Sequence, residues 1–296
     1  MKYLTLFLCV TNILLAGTTY MDPMLFDTSA SATALGGINS FGNSALAVYD
    51  NPSVLELQHN NIAISNYQLI EDIGYLNLAL KFGRFGFGII QIGSQDYETS
   101  LNNYGEAFRT KTFEYKNNLY LLNYHFKRQK MLYGINFKLY QGVIKDTSAL
   151  GINIDVGMTY KFTEEIWLSN TIINVLNMGR FGVDWNNGTN EKLPTIFSTS
   201  LRLKNSLLTA YLKYDMVDFM VSEGKWHAGI EMSFFDMLRI MGGLQEIYSE
   251  ANNKSIQFSY GLILQFSGMS LEFSQTAISN FILAEQMNRI SIGISF

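Results

Sequence analysis

The sequence predicts an all-β chain, an up-and-down antiparallel transmembrane barrel of about fourteen strands. Three observations predict it. Apolar residues alternate with polar or small ones, at a period of two, through nearly everything after residue 60. The connections between alternating runs switch regularly between brief and long. The last run, MNRISIGISF at 287–296, carries one apolar face and ends on Phe296. Composition agrees: the chain is 48% hydrophobic and 14% aromatic but only 16% charged, against about a quarter charged in ordinary soluble domains. Such a surface suits lipid better than water.

The first element is an export signal over 1–17. Lys2 precedes LTLFLCVTNILLAG, an apolar stretch broken by Thr5, Thr11 and Asn12 that ends in small residues. It falls short of the roughly 18 apolar residues that a spanning helix needs. Cys9, the single cysteine, lies inside it, and Phe7-Leu8 ahead of it do not fit a lipidation site. The mature chain therefore has no thiol chemistry and no disulfide. The net charge of −4 leaves no nucleic-acid footprint.

Residues 59–296 form the barrel. The clearest strand is LGINIDVGMTYKF, 150–162, with Leu150, Ile152, Ile154, Val156, Met158, Tyr160 and Phe162 on one face and Gly151, Asn153, Asp155, Gly157, Thr159 and Lys161 on the other. The same split recurs at 131–141, 225–234, 255–266 and 287–296. Strands are predicted at 60–70, 73–82, 84–93, 118–126, 131–141, 150–162, 165–176, 194–203, 207–216, 225–234, 236–247, 255–266, 268–276 and 287–296. Most are near the roughly ten residues that a tilted strand needs to cross a bilayer. Connections are brief at Gly83, 127–130, 163–164, 204–206, Asp236 and 267–268. They are long at 94–117, 142–149, 177–192, 217–224, 248–254 and 277–286, and only the hairpin at Glu71-Asp72 breaks the alternation. Outer-membrane barrels separate short periplasmic turns from longer outer loops in this way.

The last strand must pair with the first, because lipid tolerates only closed sheets. Ile290, Ile292 and Ile294 then face lipid, with Arg289, Ser291 and Ser295 inward. Together with Phe296 they resemble the terminal signal read by the outer-membrane barrel-assembly machinery. Residues 18–58 are different: they are rich in Ser, Ala and Gly and poor in alternation. A barrel of this size encloses more lumen than side chains easily fill. The segment is expected to fold inward as a hatch, with Leu35, Leu46, Val48, Tyr49 and Leu55 packed in the bore.

Ala34-Leu35-Gly36-Gly37, followed by Ala45-Leu46-Ala47-Val48-Tyr49-Asp50-Asn51-Pro52-Ser53, resembles the opening signature of FadL-like barrels. Asn66-Tyr67, Gly74-Tyr75, Phe82-Gly83, Tyr133–Lys138 and Gly151–Gly157 look more like the PorV/PorQ branch, and the likeness fades after about residue 176. It departs at Ser53, where many relatives have Ala. The resemblance implies hatch residues at Gly36, Gly37, Asn51, Pro52 and Ser53. It also implies either passage of hydrophobic small molecules, with a kinked third strand opening sideways, or an accessory role in type IX secretion that receives exported cargo proteins. A structural or adhesive surface barrel is a further alternative.

Gly86 and Gly88 lie on the third predicted strand, where a lateral opening is expected by analogy; equally, small residues there could face a crowded hatch. Lys138, Asp155, Glu231, Arg239, Glu272 and Arg289 fall on the inner face, as ionisable groups at membrane depth should. His59, His125 and His227 have no metal-ligand spacing, no Gly-x-Ser-x-Gly elbow occurs, and GRFGFG lacks the context of a nucleotide fingerprint. No enzyme activity, metal or cofactor is predicted.

Overall fold

The computed structural model describes residues 26–57, 59–70, 73–101, 107–179, 182–218, 220–235, 237–248, 254–277 and 287–296. The predicted signal at 1–17 lies outside them, as do residues 249–253 and 278–286 of the predicted long loops. The strands are β1 (Asn61–Ile70), β2 (Ile73–Phe82), β3 (Phe85–Leu101), β4 (Ala107–Arg128), β5 (Met131–Ile144), β6 (Thr147–Lys161), β7 (Ile166–Ile173), β8 (Val183–Trp185) and β9 (Asn190–Glu191). They continue with β10 (Ile196–Lys204), β11 (Leu208–Val217), β12 (Met220–Phe234), β13 (Leu238–Tyr248), β14 (Lys254–Phe266), β15 (Met269–Ala277) and β16 (Met287–Ser295).

β8 and β9 pair with each other and β8 with β6; the remaining strands pair antiparallel in chain order, β7 with β10 across that insertion, giving a closed ring of fourteen. β1 closes on β16 through Ile62↔Ile294, Ile64↔Ile292 and Asn66↔Ile290, and the Phe296 amide donates to the Asn60 carbonyl at 2.9 Å. Closure satisfies the backbone groups that an open sheet edge would leave bare in lipid.

Alternation decides which face is which. Ile62, Ile64, Phe85, Phe87, Ile89, Phe137, Leu139, Leu150 and Ile152 stand outward and exposed, as do Ile290, Ile292 and Ile294. Rings gather beside the short turns, where Phe126 stacks on Tyr133 with centroids 5.1 Å apart and Tyr160 meets Phe162 edge-on at 4.6 Å. This is the position of an interfacial aromatic girdle.

Four predicted elements change. The long loops expected at 142–149 and 217–224 shorten, because β5 runs to Ile144 with β6 starting at Thr147, and β11 runs to Val217 with β12 starting at Met220. The span 94–117 was expected as a loop, yet β3 and β4 stay paired from Ser94↔Tyr115 up to Leu101↔Ala107. Their neighbours stop earlier, β2 at Gly74↔Gly93 and β5 at Ile144↔Tyr115. Beyond the lipid neither face of a hairpin has to be apolar, so alternation vanishes while pairing continues. β7 was expected to reach 176 but ends at Ile173. Asn174 takes φ +59°, a 3-10 turn runs over Val175–Gly179, and β8 then pairs with β6 through Gly151↔Val183.

Two apolar cores form inside the ring. One joins Leu46, Val48, Tyr49 and Leu55 to Tyr67, Tyr75, Ile90, Ile92, Leu119, Leu121 and Tyr140. The other joins Leu35, Ile38 and Phe41 to Tyr211, Met241 and Ile263.

Candidate functional site

Residues 28–55 cross the lumen and meet the wall on every side. Helix α1 (Ala30–Ala34) is capped by Ser29, whose Oγ accepts from the Ala32 amide at 3.0 Å. It ends in a Schellman turn: Gly37 N donates to Ala32 O at 2.8 Å and Gly36 N to Thr33 O at 3.0 Å. The turn requires left-handed backbone, and Gly36 and Gly37 sit at φ +70° and +84°. Two 3-10 turns follow, Ala45–Tyr49 and Val54–Leu57. Leu46, Val48, Tyr49 and Leu55 are fully enclosed, and Leu35 is nearly so.

Inward glycines of the wall make room for this segment. A Cβ at Gly134 would stand 2.5 Å from Ser53 N and nearer still to the Pro52 carbonyl, and one at Gly157 would stand 2.6 Å from Asn51 Oδ1. Gly134 and Gly157 are cross-strand partners on β5 and β6, so together they form a flat bed under Asn51-Pro52. Across the lumen, Gly229 and Gly243 are partners on β12 and β13, and both press on Leu35, with Gly261 beside Ala34. Sequence reasoning passed over these five. The signal was there, in glycine at inward positions of otherwise regular alternation.

Gly86 and Gly88 belong to the same set. β3 is continuously paired with β2 and β4 across both residues. A Cβ at Gly86 would meet Leu55 at 2.5 Å, and one at Gly88 would meet the Tyr49 hydroxyl at 2.6 Å. These glycines give clearance to the segment inside. The ladder is interrupted elsewhere, between β6 and β7: pairing ends at Val156↔Ile172, and Asn153 and Asp155 bond side-chain oxygens to the Leu176 and Asn174 amides at 3.0 and 2.9 Å.

Polar bonds complete the seat. Asn51 Nδ2 contacts Ser40 O at 2.8 Å, Thr159 Oγ1 at 3.0 Å and Ser169 Oγ at 2.9 Å. Its Oδ1 accepts from the Ser53 amide and hydroxyl at 3.0 and 2.8 Å. An amide side chain offers two donors and one double acceptor, so this buried Asn has its capacity used. Pro52 O accepts from Asn123 Nδ2 at 3.1 Å.

All six predicted lumen charges face inward. Lys138 and Asp155 form a buried pair at 2.5 Å, and Lys138 also donates to Asn174 Oδ1 at 2.6 Å. Glu231 and Arg239 lie 3.9 Å apart. Glu272 accepts from the Ser31 amide at 3.1 Å, and Arg289 donates to Asp27 O while its guanidinium lies 3.6 Å from the centre of the Tyr67 ring. Glu272 and Arg289 therefore bind the N-terminal segment, whereas the other four brace the wall.

A further charged cluster, Lys213–Asp215–His227, escaped sequence reasoning because its members are scattered on β11 and β12. Lys213 and His227 reach Asp215 Oδ2 at 2.9 and 3.2 Å, and His227 Nδ1 meets Gly36 O at 2.6 Å. Asp50, bonded by the Thr28 hydroxyl at 2.8 Å, faces this cluster. Burial pushes the Asp50 carboxyl above the usual range, and the Lys213 charge opposes that only in part. Tyr49 donates to the Leu78 carbonyl at 2.6 Å, and burial raises its phenol well above the ordinary value.

No family model matches this sequence, and no curated protein does. Solved structures match by shape. The toluene transporter TodX of Pseudomonas putida superposes with a TM-score of 0.58 at 11% identity, covering 90% of this chain and 98% of TodX. A FadL homologue of Pseudomonas aeruginosa superposes with a TM-score of 0.56 at 10% identity, covering 91% and 98%. At that identity the likeness establishes a FadL-like barrel fold.

Proposed function

We propose that this chain is an outer-membrane channel that passes small hydrophobic molecules, with its N-terminal residues 18–58 acting as a hatch and residues 59–296 as the barrel. The observation that carries this reading is the apolar character of one half of the lumen. On the long-loop side of the N-terminal segment, Tyr67, Tyr75, Ile90, Ile92, Leu119, Leu121 and Tyr140 all turn inward and are buried. A water-filled porin lumen is polar; an apolar one offers favourable transfer to hydrocarbons and nothing to ions.

The apolar outer belt, the closed ring and the terminal row Ile290, Ile292, Ile294 and Phe296 support an outer-membrane location, with lipid as the surrounding partner and the barrel-assembly machinery as the inserting one. The shared fold with TodX and the FadL homologue supports transport rather than catalysis. The test is uptake of a radiolabelled small aromatic hydrocarbon by cells with a lipopolysaccharide-bearing outer membrane. Uptake should exceed that of cells lacking the protein and rise further when residues 21–58 are deleted. Uptake equal to the background in both strains refutes the channel.

A second reading, a PorV/PorQ-type accessory of type IX secretion, is favoured by the β3–β4 hairpin, which stands beyond its neighbours as a surface for exported cargo. Under this reading exported proteins co-purify with the chain and are lost when 94–117 is shortened to a turn. Co-purification that survives the shortening removes it.

A further inference from the structure

A second concavity opens at the short-turn mouth, on the other side of the N-terminal segment from the apolar half. Its volume is about 1070 Å³. One wall carries a single row of cross-strand partners, Lys161↔Trp167 between β6 and β7, Trp167↔Arg202 between β7 and β10, and Arg202↔Tyr211 between β10 and β11. Cations and aromatic rings therefore alternate along four adjacent strands.

The row is built, with each member held by another. Arg202 Cζ lies 3.9 Å from the centre of the Trp167 ring, and Lys161 Nζ lies 4.3 Å from it. Trp167 is fixed by its Nε1–H, which donates to Thr163 O at 3.0 Å, and by the edge of Phe41. Phe41 in turn stacks on Tyr211, with centroids 6.3 Å apart. Among the described residues no carboxylate forms an ion pair with Lys161 or Arg202. Glu231, which also lines the cavity, lies 3.9 Å from Arg239 instead, and Glu164 touches Lys161 only through its field, from the adjoining turn. Arg202 Nη1 is enclosed without an acceptor. Lys161 and Arg202 thus meet an indole face rather than an ion-pair partner, in a cavity that Lys204, Arg239, Glu164, Glu165 and Glu231 also line.

We propose that this vestibule binds aromatic carboxylates, with the carboxylate on the Arg202 fork beside Lys161 and the ring against Phe41 and Tyr211. A planar guanidinium matches a carboxylate with two parallel bonds. Its position over Trp167 reduces the ordering that binding would otherwise demand. A cation over an indole keeps its charge available, because that contact is weak beside a charge-assisted hydrogen bond. Phe41 belongs to the N-terminal segment and its seated position is used here, but neither opening of that segment nor hydrocarbon passage enters the argument, so benzoate binding and hydrocarbon uptake fail separately.

The experiment uses the full-length protein in a neutral detergent, with benzoate titrated by isothermal calorimetry. Benzyl alcohol tests for the charge, and inorganic phosphate tests for the ring. Benzoate should saturate a single site, benzyl alcohol should give no binding, and phosphate should bind at least about tenfold more weakly than benzoate. Arg202→Gln should weaken benzoate by about tenfold or more and Lys161→Gln by several-fold. Unboiled gel mobility checks that each variant is a folded barrel, and if Arg202→Gln fails that check, Lys161→Gln carries the test. Benzyl alcohol or phosphate binding as well as benzoate, or benzoate affinity unchanged in the folded variants, overturns the assignment.

Discussion

Replacing Gly134 with alanine separates the wall from what it encloses. In the strand alone the change should help, because alanine gives up less backbone freedom than glycine, by roughly 0.5–1 kcal/mol. The new methyl, however, would lie 2.5 Å from Ser53 N and closer to the Pro52 carbonyl, where ordinary contacts begin near 3.4 Å. Asn51–Ser53 must therefore move away by about 1 Å, far more than a close-packed interior absorbs without loss. The bonds from Asn51 Nδ2 to Ser40 O, Thr159 and Ser169 are now 2.8–3.0 Å long. Such a shift carries them beyond hydrogen-bonding range, at about 1 kcal/mol for each lost bond. Because the Asn51 amide nitrogen has only two hydrogens to donate, the seat should weaken by about 2 kcal/mol, a change of about thirtyfold in the seated population. Limited proteolysis in detergent, with fragments assigned by mass spectrometry, reads cleavage within 28–55. Unboiled gel mobility reads the barrel. Gly134→Ala should cut faster in the segment and keep its barrel mobility. Proteolysis within a factor of about two of the parent, with the barrel intact, would refute the idea that inward glycines exist to seat this segment.

Asn51→Ala should loosen the same segment by about 2–6 kcal/mol, because it strands the buried Ser40 carbonyl and Ser53 amide; proteolysis reads this too. Asp50 gives a pH effect with a defined sign. Its carboxyl is raised in the seated state, so seating is weakest above that raised value. It should tighten as pH falls toward the ordinary carboxyl value of about 4. Asp50→Asn should flatten this pH dependence of protease protection; an unchanged slope would rule Asp50 out as its source. On the outer face, Ile152→Lys should lower barrel stability in lipid by about 2–4 kcal/mol if the residue lies near mid-membrane, as read by denaturant unfolding in vesicles. Removing Phe296 should slow insertion in cells while leaving the heat resistance of the refolded barrel unchanged, since only its amide joins the ladder.

Much of the barrel was legible along the chain because lipid outside and a polar bore inside impose period two on every crossing strand. The rows Leu150–Phe162 and Ile290–Ile294, the inward positions of Lys138, Asp155 and Arg289, and the closing strand all follow from that constraint alone. Where the constraint lapses, legibility lapses with it. The β3–β4 hairpin beyond Gly93 was hidden because two wet faces leave no pattern. The early end of β7 was hidden because Asn174 turns inward for tertiary bonds to Lys138, Asp155 and Tyr140.

The sequence by itself determined which side chains face lipid and which face the bore, since that depends only on neighbours two residues apart. Only the tertiary structure decided what the inward residues meet. Gly86 and Gly88 give clearance to Leu55 and Tyr49, and Lys161, Trp167, Arg202 and Tyr211 fall into one row. Contacts across a lumen join residues far apart in the chain, and their pairing depends on strand register and on where the enclosed segment runs. Neither quantity is written in local periodicity.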